Sequence, residues 1–497
     1  MASYTPPSND KAEIVMEEQA NSTALAEEDP LPLEGTPERL LAERKLVRRL
    51  DTRVMPTIIL IYIMNYIDRN AITTARLKGL EQDLHLSDLQ YNVVLSILYV
   101  TYCPVQIPSN MMLNWIKRPS LYIGLCVVVW GLTSTMTGVT QSYGGILATR
   151  LCIGIPESAF YPGTIYLLSR WYTKKELAFR SAILYAGLMM SNAFGPVGHR
   201  KYKESLKAYQ PPSSWPLVFL LIWRVNWVSV RGDGCFSLRP LKGFMMAIKD
   251  PKVWIFAIMN VAQLLGLSFV NFFPTLTATL GFNTTISLVL AAPPWILGAI
   301  VCCLNAWHAD RTGERFFHQT LWWWGVMLGF IISLATTNTA ARYVSMFLMA
   351  CGYAGFAMTL VWVSNIFPRP PAKRAAVIGF VNGIGNLGNL MGSYTWKAEW
   401  GPGVYASYSL NKSKFITLSS LLDYHPSMGI SFGSLAIATV LSLVLRQWVI
   451  RDNKKLDEDE KLAFGEANRA RVEEAARLEG ITFDQAMQRR KGFRYLY

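Results

Sequence analysis

The sequence predicts an all-α membrane protein of about twelve spanning helices in two six-helix halves, and three observations support this fold class. The 497 residues are 51% hydrophobic and only 16% charged, whereas soluble domains carry about 25% charged residues. The apolar residues fall into blocks of about 18–24 residues, close to the length that crosses a bilayer as a helix. Short segments rich in Lys and Arg separate these blocks.

The apolar blocks define twelve candidate spans, of which the sixth is atypical. It has only about fifteen residues, fewer than a helix needs to cross the hydrocarbon core, and Arg224 stands in its middle. The candidate spans are 54–72, 90–112, 120–140, 143–168, 179–197, 216–230, 252–275, 284–305, 319–337, 342–363, 374–394 and 427–449.

Basic residues are distributed unevenly between the loops. The alternate loops at 138–143, 276–284 and 337–341 contain no Lys or Arg, while the loops on the other side are rich in both. Basic loops stay in the cytoplasm, so the pattern places both termini there and also favours a sixth crossing. We expect a multi-pass protein of the plasma membrane and a monomer.

An internal repeat divides the chain. The first span opens near residue 54 and the seventh near residue 252, and two similar halves around a central binding site are a common plan of membrane carriers. The predicted organisation is a cytoplasmic tail with a basic interfacial helix (1–53), an N-terminal half (54–230), a central loop (231–251), a C-terminal half (252–450) and a solvated cytoplasmic tail (451–497).

Composition argues against several classes of protein. The net charge of +14 would suit nucleic acid binding, but most Lys and Arg residues lie just beyond apolar blocks, as topology determinants do. The seven cysteines form no CxxC pair, so neither a metal site nor a disulfide framework is predicted. The sequence contains neither an HExxH run nor a P-loop, and we expect no cofactor and no enzymatic activity.

A charged loop follows the eighth span and reads HADRTGER at 308–315. It resembles the D-R-x-G-R-R core of the major facilitator signature, with Glu314 in place of the usual basic residue. A carboxylate beside an Arg at a helix end can latch neighbouring helices, although an ordinary charged loop is the alternative. The predicted cytoplasmic gate comprises Asp310, Arg311 and Arg315, together with Lys117 and Arg118 from the equivalent loop after the second span.

Further motifs narrow the resemblance. The runs NYIDRN at 65–70, IPSN at 107–110, YPG at 161–163 and FPRPPAKRA at 367–375, with Arg150-x-x-x-Gly154-x-x-Glu157, resemble the fungal anion:cation symporters, in particular the allantoate permease family. The likeness covers about 54–197 and 250–450. It implies proton-driven uptake of a small carboxylate such as allantoate, ureidosuccinate, nicotinate or a related vitamin, with the bilayer, the anion and the proton as partners.

Ionisable residues inside spans point to the path of substrate and proton, because such residues are costly in a membrane. Asp68 and Arg69 lie on the first span, and Arg150 and Glu157 lie two turns apart on the fourth. Arg150 or Arg69 is the predicted receptor of the substrate carboxylate, since the guanidinium fork matches a carboxylate. Asp68 or Glu157 is the predicted proton carrier. The alternative is a structural bridge between Asp68 and Arg150.

Asparagines form a polar stripe on the eleventh span. Asn382, Asn386 and Asn389 follow at i, i+4 and i+7 and either line the cavity or hydrogen-bond other helices, so Asn382 and Asn386 are further candidates for substrate binding. The glycines among them favour close helix packing.

Two segments, 198–240 and 403–422, depart from the family pattern.

Alternative functions are a nutrient sensor that does not transport, a drug:proton antiporter, or an inactive product of a defective gene model.

Overall fold

The computed structural model describes residues 36–76, 80, 84–116, 119–198, 240–278, 280, 282, 284–336, 338–396, 400, 424–461 and 495–496. By its contacts the chain divides into two compact units, 1–53 and 54–497. In the described part of the first unit the chain is helical, with an ion pair of 3.1 Å between Arg39 Nε and Glu43 Oε1 on adjacent turns.

The regular structure of the described residues consists of helices alone. In chain order the α-helices are α1 (Pro37–Arg76), α2 (Asp88–Trp115), α3 (Pro119–Thr137), α4 (Tyr143–Glu157), α5 (Phe160–Trp171), α6 (Leu177–Gly198), α7 (Pro240–Ile248), α8 (Pro251–Gly266), α9 (Phe273–Ala278), α10 (Thr284–Leu290), α11 (Ala292–Thr312), α12 (Phe316–Ala335), α13 (Thr339–Cys351), α14 (Tyr353–Ile366), α15 (Pro371–Gly385), α16 (Leu387–Thr395) and α17 (His425–Lys461).

These helices coincide with eleven of the twelve predicted spans, and the sixth, at 216–230, lies outside the described residues. The predicted central loop contains the short helix α7, and α17 continues eleven residues past the predicted end of the C-terminal half at 450. Helices suit a membrane because a helix satisfies the hydrogen bonds of its own backbone where there is no water.

Five predicted spans are built from consecutive helices, namely α4–α5, α8–α9, α10–α11, α13–α14 and α15–α16, with a 3₁₀ turn at Ser268–Phe272 between α8 and α9. Backbone bonds still close across the breaks. Ser158 N donates to Gly154 O at 3.2 Å, Gly352 N to Met349 O at 3.1 Å, and Asn386 N to Asn382 O at 3.1 Å. The breaks therefore bend the spans without leaving those backbone amides unpaired.

Five segments of the described residues are long and apolar enough to cross a membrane by length and composition alone. They are Pro119–Thr137, Pro251–Thr277, Ile286–Thr312, Thr339–Ile366 and His425–Glu458. Hydropathy by itself thus identifies fewer spans than the arrangement of the helices does.

Apolar side chains cover the outside of the bundle. On α12, Phe317, Leu321, Trp324, Leu328 and Ile331 are 40–54% exposed and recur every three or four residues, which puts them on one helix face. A stripe of large exposed apolar residues in a soluble protein would be a liability. Against lipid tails it is the expected outer surface.

The most extensive contacts between the halves are those of α6 with α11 and of α2 with α15. The α2–α15 pair depends on glycine, because a Cβ atom at Gly379 would lie 2.9 Å from Gln106 O and one at Gly383 would lie 2.7 Å from Cys103 O. Small residues let backbones approach closely in membranes. The packing role expected for these glycines therefore agrees with the contacts across the two halves.

We predict that Gly383→Ala weakens the junction between the halves. The added methyl meets the Cys103 carbonyl, and overpacking of this kind costs about 1–3 kcal/mol. The melting temperature of the purified protein should fall. Gly325→Ala is the matched control, because nothing lies within 4 Å of a Cβ atom there, and it should leave the melting temperature unchanged or raise it. An unchanged melting temperature for Gly383→Ala would contradict the close contact.

Candidate binding cavity and gates

A small cavity lies between the two halves. Its volume is about 40 Å³, which is room for a few water molecules at most and far below the 300 Å³ or more of typical ligand pockets. Binding of an organic molecule here therefore requires the walls to move apart. The lining residues are Tyr62, Tyr66, Arg69, Asn70, Tyr99, Tyr102, Tyr161, Tyr185, Leu188, Asn192, Leu264, Val270, Asn271, Tyr353, Phe356, Asn382, Asn386 and Asn389.

Arg69 on α1 is the cationic group of this lining. Its guanidinium carbon lies 4.7 Å from the ring centre of Tyr102, 5.3 Å from that of Tyr66 and 5.7 Å from that of Tyr99, so aromatic faces stabilise the charge. Its Nε and Nη2 atoms are buried and make no aligned hydrogen bond with the described residues. The buried Nε of Arg69 thus has no acceptor among the described residues.

Glu157 on α4 neutralises this charge. Its Oε1 atom lies 2.8 Å from Arg69 Nη2, a close ion pair whose angle is not that of a hydrogen bond. The same oxygen accepts a hydrogen bond of 2.7 Å from Asn65 Nδ2, and Glu157 is only 3% exposed. The structure therefore brings together one residue predicted to bind substrate and one predicted to carry the proton.

Asp68 and Arg150 do not line the cavity in the described part of the chain. Asp68 has Trp130 and Ser134 of α3 as hydrogen-bond partners, and the charges of Glu157 and Arg150 both act on it. Arg150 is buried on α4. The structural bridge between Asp68 and Arg150 stays a prediction.

The asparagine stripe serves both of the purposes that the sequence allowed. Asn382, Asn386 and Asn389 all line the cavity. Asn382 Nδ2 also donates to Gln106 Oε1 on α2 at 2.8 Å, which links the halves. Asn386 Nδ2 donates to Asn382 O at 2.7 Å and Asn389 Nδ2 to Asn386 Oδ1 at 3.0 Å. Asn382 Oδ1 remains a buried acceptor without a donor among the described residues.

Sequence reasoning missed the aromatic wall of the cavity. Tyr161 stacks on Tyr62 with ring centres 5.5 Å apart, and Tyr185 lies 5.0 Å from Phe356 and 6.2 Å from Tyr353. The signal that could have found this wall is the spacing of the tyrosines, because Tyr62 and Tyr66, and likewise Tyr99 and Tyr102, stand one turn apart well inside their helices.

Asp310 forms a latch across the two halves. Its carboxylate accepts the backbone N–H groups of Ala178 at 3.3 Å and of Phe179 at 2.8 Å, at the start of α6. A carboxylate suits a helix N-terminus because the first N–H groups lack partners and the helix dipole is positive there. Arg315 Nη2 donates to Asp310 Oδ1 at 2.9 Å and to Lys174 O at 3.1 Å. The end that carries this latch is called the latch face below.

Of the remaining predicted gate residues, one is described by the structure and two are not. Arg311 stacks over Trp307 at 3.8 Å from the ring centre and is not among the residues that bond to α6, while Lys117 and Arg118 lie outside the described residues. Two further contacts close the latch face. Arg374 Nη1 donates to Ser169 O at 3.0 Å, and Asn110 Nδ2 donates to Ala375 O at 2.9 Å.

At the opposite end, the hydroxyls of Ser96 on α2 and Tyr394 on α16 lie 2.9 Å apart. Contacts between the halves therefore stand on both sides of the cavity, which agrees with its small volume. Burial lowers the pKa of Arg315 on the latch face. Burial, and then the charges of Arg369 and Arg374, lower the pKa of Lys174 to about 8.

Comparison with known proteins decides the family. Residues 58–393 match the model of the Major Facilitator Superfamily, which is more than half of the chain. The protein belongs to the major facilitator superfamily. The predicted fold class, an all-α major facilitator fold with about twelve membrane helices, is confirmed.

Curated members of the superfamily resemble this chain along most of its length. An uncharacterized transporter of Schizosaccharomyces pombe is 26% identical, over 83% of this chain and 87% of its own. The MFS-type transporter cnsO of Penicillium expansum is 27% identical, over 83% and 85%. The major facilitator-type transporter hxnP of Emericella nidulans is 24% identical, over 73% and 80%. The chain is therefore a secondary transporter, and family and fold point away from an enzyme.

A solved structure shares the same fold. It is a bacterial homolog of the human lysosomal transporter Spinster, in an inward-facing and unoccupied conformation, with a TM-score of 0.57. The match covers 81% of this chain and 98% of that one at 17% sequence identity. A likeness at this identity concerns the fold alone.

We predict that Asp310→Asn opens the latch face of this major facilitator protein. Asn offers only one acceptor oxygen, so one α6 amide loses its partner and the buried Arg315 loses its counter-charge. With Ser169→Cys as a reporter in a background without other cysteines, maleimide labelling in nanodiscs should accelerate by at least about tenfold, as expected for loss of a hydrogen bond to a charged group. Arg311→Gln is the control and should label at the parent rate. Equal rates for both variants would contradict the latch.

We predict that Lys174→Gln stabilises the protein below about pH 8. The pKa of Lys174 is lowered from 10.5 to about 8, so the folded state binds this proton less readily than the unfolded state. That cost is fully present below the folded pKa and disappears as the pH rises toward the unfolded pKa.

The melting temperature of Lys174→Gln should exceed that of the parent by about 2 °C near pH 7, and the difference should shrink near pH 10. Lys175→Gln is the neighbouring comparison. A gain that is independent of pH would contradict this explanation.

Proposed function

We propose that this transporter takes up a small organic anion together with a proton, and that Arg69 and Glu157 couple the two. The observation that carries the proposal is the buried ion pair of 2.8 Å, in which Arg69 presents donors to the cavity that have no aligned acceptor among the described residues. A guanidinium in this situation is suited to bind a carboxylate with two parallel hydrogen bonds.

Competition for Arg69 supplies the coupling. While Glu157 is ionised it neutralises Arg69, and an incoming carboxylate meets a site without net charge. A proton on Glu157 removes that neutralisation, so Arg69 becomes free to receive the substrate anion. Loss of the proton on the other side restores the Arg69–Glu157 pair and expels the substrate. The proton and the anion therefore move in the same direction.

The remaining cavity residues would hold the rest of the substrate. Asn382 and Asn386 supply amide groups to its polar part, and the tyrosine rings supply flat apolar surface. We assign the carboxylate to Arg69 rather than Arg150 and the proton to Glu157 rather than Asp68. The reason is that Arg69 lines the cavity and that Glu157 forms an ion pair with Arg69, whereas Arg150 is not among the described lining residues.

The same proposal includes topology and setting. The basic loops support a cytoplasmic latch face with both termini on that side, so that the Asp310–Arg315 latch is the cytoplasmic gate, to which Arg311, Lys117 and Arg118 contribute charge. Residues 54–230 and 252–450 would be the two moving halves of a monomer in the plasma membrane. The motifs at 65–70 and 150–157 support a substrate of the allantoate, ureidosuccinate or nicotinate type.

The direct test is uptake of labelled allantoate, nicotinate, pantothenate and ureidosuccinate by cells with confirmed surface expression. Rates are compared at about pH 5 and about pH 7.5, so that the inward proton gradient differs between the two measurements. Faster uptake of one compound at the lower pH supports proton-coupled import and identifies the substrate class. Binding without uptake would replace this proposal with the nutrient sensor, and faster efflux of a cation with the antiporter.

We predict that Glu157→Gln separates binding from coupling. The amide resembles the protonated acid, so Arg69 stays available and the substrate still binds. Uptake down a substrate gradient should continue, while its dependence on pH and on a proton gradient should disappear. Asp68→Asn is the comparison, and under this assignment it should retain the pH dependence. Loss of coupling in Asp68→Asn but not in Glu157→Gln would transfer the proton to Asp68.

We predict that Arg69→Lys weakens substrate binding about tenfold or more, because a single ammonium cannot replace the two-pronged contact. The charge is kept, so the ion pair with Glu157 should survive and the protein should still reach the membrane. Arg150→Lys, measured at equal surface expression, is the matched control. A large loss of affinity in Arg150→Lys alone would assign the carboxylate to Arg150.

A further inference from the structure

The end of the chain is held in place. The side chain of Asn453 on α17 makes two hydrogen bonds with the backbone of Tyr495. Asn453 Nδ2 donates to Tyr495 O at 2.9 Å, and Tyr495 N donates to Asn453 Oδ1 at 2.9 Å. This arrangement is how an extended peptide is recognised, because one amide side chain satisfies both polar groups of a single residue. A solvated tail would have no such fixed partner.

A second anchor comes from another helix. Trp362 is fully buried on α14, and its Nε1 atom donates a hydrogen bond of 3.1 Å to Leu496 O. A buried indole N–H needs an acceptor, and the C-terminal segment provides it. The Tyr495 ring lies 5.9 Å from Lys252 Nζ at the start of α8, and Lys252 forms an ion pair with Asp452 beside Asn453.

The anchored residues lie beside the latch. A Cβ atom at Gly313 would lie 3.5 Å from a methyl group of Leu496, and Gly313 is in the turn between Asp310 and Arg315. Gly313 has a φ of +69°, a conformation that suits glycine. The side chain of Leu496 therefore rests on the turn that positions both latch residues, while its backbone is tied to α14 and that of Tyr495 to α17.

We propose that Tyr495–Leu496 is an intramolecular ligand for a groove formed by Lys252, Gly313, Trp362 and Asn453, and that its docking holds the latch face closed. The docked residues connect the ends of α14 and α17 with the Gly313 turn. Under this proposal the Gly313 turn moves when Asp310 leaves the α6 amides, and a docked chain end opposes that movement. Undocking therefore favours opening, and a factor that binds the chain end would accelerate it.

This inference depends on the latch geometry and not on the proposed proton or anion. The test uses the Ser169→Cys reporter in nanodiscs, where a maleimide reaches both faces, and compares the full chain with a chain that ends at residue 494. A second variant, Asn453→Asp, removes the donor to Tyr495 O while its shape is preserved. Asn338→Asp is the matched control, because Asn338 caps α13 and Asp caps a helix equally well.

We expect the truncation and Asn453→Asp to raise the labelling rate by about twofold to tenfold, the factor that corresponds to one or more lost hydrogen bonds. Asn338→Asp should label at the parent rate. An acetylated peptide of residues 490–497, added in excess to the truncated protein, should slow labelling again, and a scrambled peptide should not.

The proposal would be overturned if Asp310→Asn accelerates labelling while the truncated chain and Asn453→Asp label at the parent rate. Slower labelling in either variant would also overturn it. If the truncated chain, Asn453→Asp and Asp310→Asn all label at the parent rate, both the docking role and the latch would be overturned.

Discussion

The contact between Arg69 and Glu157 is the constraint around which the interior is arranged. An Arg at the centre of a membrane helix costs about 2.5–3.5 kcal/mol on insertion scales, and two buried charges are tolerated only when they are paired and further hydrogen-bonded. Asn65 accordingly donates to Glu157, and the rings of Tyr66, Tyr99 and Tyr102 surround Arg69. The tyrosine cavity is therefore first an environment that stabilises one cation, and this same environment makes the cation available to an anion.

The ion pair leaves part of the hydrogen-bonding capacity of Arg69 unused. A bidentate pair with both guanidinium edges satisfied would be structural and difficult to displace. Here the charges touch at 2.8 Å while Nε and Nη2 make no aligned bond with the described residues. The electrostatic cost of burial is largely removed, whereas hydrogen-bonding capacity remains. A carboxylate ligand of the cavity would gain what Glu157 does not supply.

The two ends of the cavity are closed in different ways. At the latch face a carboxylate, a guanidinium and several backbone groups join the halves through Asp310, Arg315, Arg374 and Asn110. At the other end, Ser96 and Tyr394 share one hydrogen bond between neutral hydroxyls. Charge-assisted bonds are about twice as strong as neutral ones. We therefore expect the charged end to resist opening more strongly than the other end, and the proposed docking of Tyr495–Leu496 would act on this end.

The sequence by itself determined the class of fold, the positions of the described spans and the charged residues that are candidates for the site, because each depends on a local property. Span length follows from bilayer thickness, and the rarity of intramembrane charge singles out Asp68, Arg69, Arg150 and Glu157. Only the tertiary structure decided that Arg69 pairs with Glu157, because this contact depends on the rotation of α1 against α4. The same holds for the tyrosine wall and for the docked chain end. Residues far apart in sequence create these contacts, and no local pattern records which helix faces meet.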